Sequence, residues 1–263
     1  MMKDQTLPKG AVPAVIKAVS ILDAIADAGE PLSLAQLTRL LDQPKSSLLA
    51  LCNTLVHVGF VKRLDNGAYQ LDTHLVDLAH AYLSNIDVTR EFSTAWDSLG
   101  VHSGEGGVLA VLDKTDVVYV ACRTSDLPLG VNYRIGMRLP AHCAATGKAL
   151  LSTLPDERIR ALYGNTPLTQ LTRHSIGTVD ALLEDLHQTR LRRYAIDDEE
   201  TREGMRCYGA PVFDSPGSHA IAAVAVSTLK HPSDNSRDMT LVDTLLRLAN
   251  ELSSRLGAHG RLI

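Results

Sequence analysis

His142 and Cys143 stand side by side, and a thiol next to an imidazole is a pairing used in nucleophilic catalysis. Adjacent residues rarely face one another, however, and the chain has no G-x-S-x-G or other nucleophile elbow, so no catalytic residue is assigned. The favoured reading is a small-residue entry into a helix, Ala141-His142-Cys143-Ala144-Ala145-Thr146-Gly147. Such an entry has chemistry of its own, because open N–H groups at a helix start attract an anion and small side chains let a ligand reach the backbone. A metal held by Asp197, Cys207 and His142 matches no standard ligand spacing, and the four cysteines, Cys52, Cys122, Cys143 and Cys207, are scattered and read as reduced thiols. His74 and His80, six apart on an expected helix, cannot share a face and read as surface histidines. No metal or cofactor is expected. Gly106-Gly107 lacks the Lys-Ser/Thr of a phosphate loop and is expected to form a turn ahead of a strand.

A second group of residues suits DNA. Lys45, Ser46, Ser47, Leu49 and Asn53 fall on the outward side of an expected helix whose inward side is Leu48, Leu51, Cys52 and Leu55, and small polar residues at a helix start fit a major groove. Lys62 and Arg63 follow, where a wing would meet phosphate.

These residues need elements to hold them. Ser33 and Gln36 make a capping signature for a helix carrying Leu34, Leu37, Leu40 and Leu41; Asp42-Gln43-Pro44 breaks it, and a second helix begins near Pro44. The run Val15, Ala18, Val19, Leu22, Ile25, Ala26 supplies a third helix ahead of Gly29-Glu30-Pro31. After Gly59, Phe60–Leu64 and Ala68–Leu71 flank Asn66-Gly67, a hairpin signal. Three helices and a hairpin are the order of a winged helix-turn-helix, whereas the first two helices alone fit an αα-hairpin equally well.

Composition bounds the rest. At 263 residues the chain is long enough for two domains. With 45% hydrophobic and 21% charged residues it reads as folded. No apolar run is long enough to cross a bilayer and residues 1–5 do not resemble a signal peptide, so a cytoplasmic protein with no membrane partner is expected. The net charge of −4 argues against a surface that binds nucleic acid indiscriminately, and residues 1–75 balance seven basic against seven acidic groups. So few phosphate contacts per chain imply a homodimer or homotetramer on DNA.

Helices are expected from Thr73 and after Asp87, then strands at Val108–Leu112 and Val117–Ala121. Further helices fall near Pro155–Leu162, Thr178–Arg193 and Met239–Leu256, and further strands at Tyr194–Ile196, Met205–Phe213 and Ala220–Thr228, with Asp197-Asp198-Glu199-Glu200 as an acidic loop. This half is a mixed α+β domain.

With these motifs assembled, the chain resembles the IclR family of bacterial transcription regulators. The matches run in family order: the Leu34–Leu55 helix-turn-helix with its Pro44-Lys45-Ser46 entry, the Gly59-Phe60-Val61 wing, Arg138-Leu139-Pro140-Ala141-His142, Gly147-Lys148-Ala149-Leu150-Leu151, Tyr194–Glu200, Gly204-Met205-Arg206-Cys207 and Ala210–Asp214. The resemblance implies a winged N-terminal domain, a GAF-like α+β effector-binding domain, dimers that often pair into tetramers, and an operator affinity tuned by a small metabolite. It places the effector against the backbone of Ala145 and Thr146, the side chains of Asp197, Cys207 and Ser227, and an apolar wall at Leu129 and Val131. Ala225 stands where some members that bind small keto acids have a hydroxyl residue. Arg134, close in sequence to that wall, is a candidate to pair with a carboxylate or to make a surface ion pair. A hydroxylated or amino-bearing carboxylate, aromatic ones included, fits this set. The family often has His-Arg where this chain has Leu49-Ala50, which shifts base reading toward Ser46, Ser47, Asn53 and thymine methyls.

The expected organisation is a loose leader over 1–10, a winged helix-turn-helix over 11–72, a helical linker over 73–100, an effector-binding domain over 101–257 and a tail over 258–263. The alternative function is a small-molecule-binding enzyme whose N-terminal helices serve oligomerisation alone.

Overall fold

Helix α1 (Pro13–Ala28) begins with proline in its first turn, where no N–H donor is needed, and ends on Gly29 in left-handed backbone at φ 66°. Helix α2 (Leu34–Leu41) starts on the expected capping box: the Gln36 N–H donates to Ser33 Oγ at 3.3 Å, and the Ser33 N–H donates to Gln36 Oε1 at 2.8 Å. Pro44 caps helix α3 (Lys45–His57) from just outside it. Ile21, Ile25, Leu37, Leu48, Cys52 and Leu55 from the three helices share one core with Val61 and Tyr69.

Those last two belong to the wing, β1 (Val61–Arg63) antiparallel to β2 (Tyr69–Leu71), with Lys62 opposite Gln70. Its turn lies where Asn66-Gly67 predicts it: Gly67 takes φ 80° and Asn66 Oδ1 accepts from the Ala68 N–H at 3.0 Å. The loop between α1 and α2 also joins the wing, because Leu32 and Tyr69 exchange N–H to carbonyl bonds of 2.9 and 2.8 Å. No hydrophobic alternation marks a single bridging residue, so the sequence did not predict it.

The computed structural model describes residues 10–84, 87–99, 106–123, 133–164, 167–215, 219–230 and 235–258, in two compact units that divide between Tyr82 and Leu83. The expected linker over 73–100 is therefore split. Helix α4 (His74–Ser84) falls up to Tyr82 in the first unit, whereas α5 (Asp87–Ser98) is part of the second unit's core. Val88, Phe92, Ala95 and Trp96 make one apolar face of α5, and burying it is what attaches that helix.

The second unit continues with β3 (Gly106–Asp113), β4 (Asp116–Arg123), β5 (Arg138–Pro140), α6 (Ala145–Ser152), α7 (Asp156–Tyr163), α8 (Val179–Arg192), β6 (Ala195–Asp198), β7 (Met205–Val212), β8 (Ala222–Leu229) and α9 (Asn235–Arg255). Among the described residues the strands form one antiparallel six-stranded sheet in the order β5-β4-β3-β8-β7-β6. On one face Leu109, Val224 and Val226 pack under α5 and α9; on the other Val108, Ala110, Ala223 and Ala225 pack under α6, α7 and α8. Covering both faces explains why β8 is apolar at successive positions instead of alternating.

Three details depart from expectation. Asp197 and Asp198 lie in strand β6, not in a loop, because the ladder with β7 runs through Asp198 opposite Arg206. Strand β5 is three residues long, too short to leave a periodic signal. Gly106 and Gly107 open strand β3 instead of turning, and their bareness has a packing cause: a Cβ on Gly107 would sit 2.0 Å from the Trp96 ring. Gly107→Ala should therefore destabilise the second unit by about 1–3 kcal/mol, an overpacking cost, read as a lower urea midpoint; a midpoint within error of the parent would show that Trp96 can move aside freely.

Candidate functional site

In the first unit Lys45, Ser46, Leu49 and Asn53 of α3 are exposed and Ser47 is half-buried, while Leu48, Cys52 and Leu55 face the core. Ser46, Leu49, Ala50 and Asn53 thus make one outward stripe from the start of the helix. Thr54, also exposed, follows Ala50 on that side, with its hydroxyl donating back to the Ala50 carbonyl at 3.0 Å. On the wing Lys62 and Arg63 are exposed, and the Arg63 guanidinium lies 5.9 Å from the centre of the Tyr69 ring. That stacking orients one cation of a head otherwise short of them.

In the second unit the sheet register builds a polar row. Asp197 on β6 lies opposite Cys207 on β7, Cys207 opposite Ser227 on β8, and Ser227 opposite Gly106 on β3. In the next row of the same face, Ala195, Gly209, Ala225 and Val108 lie opposite one another. Helix α6 comes down on these small residues so closely that a Cβ on Gly209 would be 2.3 Å from the Ala145 carbonyl oxygen. Gly147 allows a second close approach, since its Cβ would lie 2.1 Å from the Ala141 oxygen.

A cavity of about 120 Å³ remains between the start of α6 and the polar row, and Tyr119, Tyr133 and Met137 help to line it. Helix α6 has no side-chain cap, so the amides of its first turn are open toward anions. The Thr146 hydroxyl is buried and makes no well-formed hydrogen bond, its polar neighbour being the Tyr119 hydroxyl, within reach of a weak one. Asp197, 2% exposed, accepts through Oδ1 from the N–H groups of Glu200 at 2.8 Å and Thr201 at 3.1 Å, and through Oδ2 from the Thr201 hydroxyl. Burial still holds its carboxyl above the usual carboxylate range despite those bonds. Burial likewise pushes the Cys207 thiol up to about 12, so it is a neutral, weak donor and not a nucleophile.

The sequence-derived residues are thus brought together in part. Ala145, Thr146, Asp197, Cys207 and Ser227 all line this cavity, and Leu129 and Val131 lie outside the described residues. Arg134 is exposed on the turn before β5 and is absent from the described lining, where the cation is Arg202, itself exposed. Tyr133 and Arg202 were missed because neither carries a spacing signal; Tyr133 precedes Arg134, and Arg202 follows the acidic run. His142 and Cys143 do not form a pair. Both address the carbonyl of Thr169, at 2.8 Å from His142 Nε2 and 3.7 Å from Cys143 Sγ, and burial pushes the Cys143 thiol up to about 11. Among the described residues no group of three or more His, Cys, Asp or Glu side chains is placed to hold a metal ion, and no helix is long and apolar enough to cross a membrane.

Behind the cavity lies a buried ionic cluster. Lys148, on α6 and fully buried, contacts Glu200 Oε1 closely and Asp185 Oδ2 at 3.2 Å. Glu200 therefore touches both walls: its side chain meets α6 through Lys148, and its N–H holds Asp197.

A winged helix-turn-helix joined in one chain to an α+β domain with an anion-attracting cavity is the plan of a ligand-responsive transcription regulator. The comparisons make this specific. Residues 14–65 match the model of the IclR helix-turn-helix domain, and residues 80–254 match that of the bacterial transcriptional regulator IclR C-terminal domain. The chain belongs to the IclR family. It is 31% identical over 247 residues to the HTH-type transcriptional regulator XynR of Escherichia coli, covering 94% of this chain and 98% of that one. A regulator structure from Rhodococcus sp. RHA1 superposes with TM-score 0.81 at 24% identity, over 94% of this chain and 98% of that one. An IclR homologue from Microbacterium hydrocarbonoxydans, crystallised with 4-hydroxybenzoate, superposes with TM-score 0.77 at 17% identity, over 92% and 99% of the two chains.

The ionic cluster makes stability depend on pH. Burial, against the pull of Lys148, raises the Glu200 carboxyl from about 4.5 to about 7. A carboxyl held above its unfolded value binds its proton more tightly when folded, so its contribution is full below about pH 4.5 and is lost as pH rises through about 7. Glu200→Gln is expected to flatten this fall, as measured by urea denaturation at a series of pH values. A variant profile parallel to the parent's between those limits would place the titration on another group.

Proposed function

We propose that this chain regulates transcription in the cytoplasm by binding an operator as a homodimer or homotetramer, and that a small carboxylate bearing a hydroxyl or amino group changes its affinity for DNA. One observation carries the ligand class: the uncapped start of α6 and the Thr146 hydroxyl, which makes no well-formed hydrogen bond, open onto the same cavity as the Asp197–Cys207–Ser227 row. The first two suit a carboxylate. The row suits a group that can both donate and accept, with Asp197 receiving a ligand hydroxyl or amine, so that its charge is not left facing an anion. Arg202 supplies a cation at the rim. The 4-hydroxybenzoate in the Microbacterium homologue supports a hydroxylated carboxylate as the class.

On DNA, Lys45, Lys62 and Arg63 meet phosphates, while Ser46, Ser47, Leu49 and Asn53 meet base edges, Asn53 suiting adenine and Leu49 a thymine methyl. The ligand acts only through its different affinity for the DNA-competent and DNA-incompetent arrangements, a coupling typically of about 1–3 kcal/mol.

A gel shift with DNA from upstream of the chain's own gene tests the whole reading, and absence of specific binding with or without carboxylates would favour the enzyme alternative. Lys45→Ala is expected to weaken binding to all sequences alike and to make the plot of log affinity against log salt shallower by about one unit. An unchanged slope would remove Lys45 from the phosphate contacts. Thr146→Val should weaken the carboxylate recovered from a thermal-shift screen by roughly 10–100-fold, the loss of one bond to a charged group, while leaving operator affinity without ligand as it was. Equal ligand affinity in parent and variant would take Thr146 out of the site.

A further inference from the structure

The aromatic residue that shapes the cavity is Tyr133. Its hydroxyl bonds the Ser227 hydroxyl at 2.5 Å and lies 4.0 Å from Cys207 Sγ, so it spans the polar row from the side opposite Asp197. Its ring stands edge-on to Tyr119, with centroids 5.4 Å apart at 82°, and passes over Gly106, where an added Cβ would already touch it at 3.5 Å. Burial holds the phenol well above its ordinary range, so it stays protonated and keeps the hydroxyl pair intact. With the ring in this place the cavity measures about 120 Å³. A dry apolar cavity that takes up benzene measures roughly 150 Å³.

We propose that Tyr133 is the specificity-determining residue of the effector site: its ring, pinned by Ser227 and Tyr119, limits the ligand to an aliphatic carboxylate smaller than a benzene ring with its acid group. This rests on the reading of the cavity as the effector site. It also separates this chain from the homologue that carries 4-hydroxybenzoate. Ser227 then has a dual place, held by Tyr133 in the unliganded protein and offering its remaining hydrogen-bonding capacity to a ligand small enough to lie beside the ring.

The test uses the full chain and two probes, benzene for size alone and benzoate for size together with the anionic end. In the parent protein neither probe should shift the melting temperature. In Tyr133→Ala the space of the ring is added to the cavity, and both should raise the melting temperature by roughly 2–4 °C or more at saturation. Tyr133→Phe keeps the ring and loses the bond to Ser227; it should exclude benzene as the parent does. Uptake of benzene by the parent or by Tyr133→Phe would overturn the proposal, as would its exclusion from a Tyr133→Ala protein that retains the parent's circular dichroism. Tyr133→Leu serves as the second enlarged variant if the alanine does not fold. Benzene uptake without benzoate uptake in the enlarged variants would uphold Tyr133 as the size limit and instead overturn the anionic end of the proposed effector site.

Discussion

The distance between α6 and the sheet governs everything at the cavity. Gly209 is bare at the point where a methyl group would meet the backbone of Ala145. Ala223, Ala225 and Ala110 extend the same low surface beneath the helices of that face. Because the helix lies this low, its open amides face the row of Asp197, Cys207 and Ser227 across a narrow gap. A bulkier layer under α6 would widen that gap, and the two halves of the polar lining would no longer share one small cavity.

The low seat of α6 has an electrostatic counterpart. Lys148 follows Thr146 by two residues and so lies on a different face of α6, where it too is buried. A buried ammonium needs carboxylate partners, and Asp185 on α8 and Glu200 after β6 provide them. Glu200 passes the constraint on, because its own amide helps to hold the Asp197 carboxylate. The acid and base residues at the centre of this unit thus form one connected set, which ties α6 and α8 to the loop that lines the cavity.

How much of this was legible in the sequence differs between the two units. In the first, local signals sufficed: the Ser33–Gln36 box, the break at Asp42-Gln43-Pro44 and the Asn66-Gly67 turn act within a few residues of one another, and they set the helix-turn-helix and its wing. The joint order of the motifs also identified the family. In the second, the cavity depends on register between strands far apart in sequence, and nothing local places Asp197 beside Cys207 or Cys207 beside Ser227; those residues were reached by family resemblance. Tyr133 and Arg202 were not reached, because neither has a periodic or motif signal and both matter only through what the fold places opposite them. Helix α5 looked like a connector for a related reason. Its apolar face was plain, but the surface that receives it is built from β3, β4, β7, β8 and α9.

The small bridge between Leu32 and Tyr69 alters how the wing behaves. A free two-stranded hairpin is marginal in water, and a wing of that kind would have to become ordered on meeting the duplex. Here the second strand is bonded on its far side to the loop between α1 and α2, and Tyr69, buried beneath Arg63, is held from both edges. The wing is thus preorganised: the backbone that carries Lys62 and Arg63 is already ordered when the head folds. For a head with so few cations, a wing already ordered before it meets DNA loses less conformational entropy on contact.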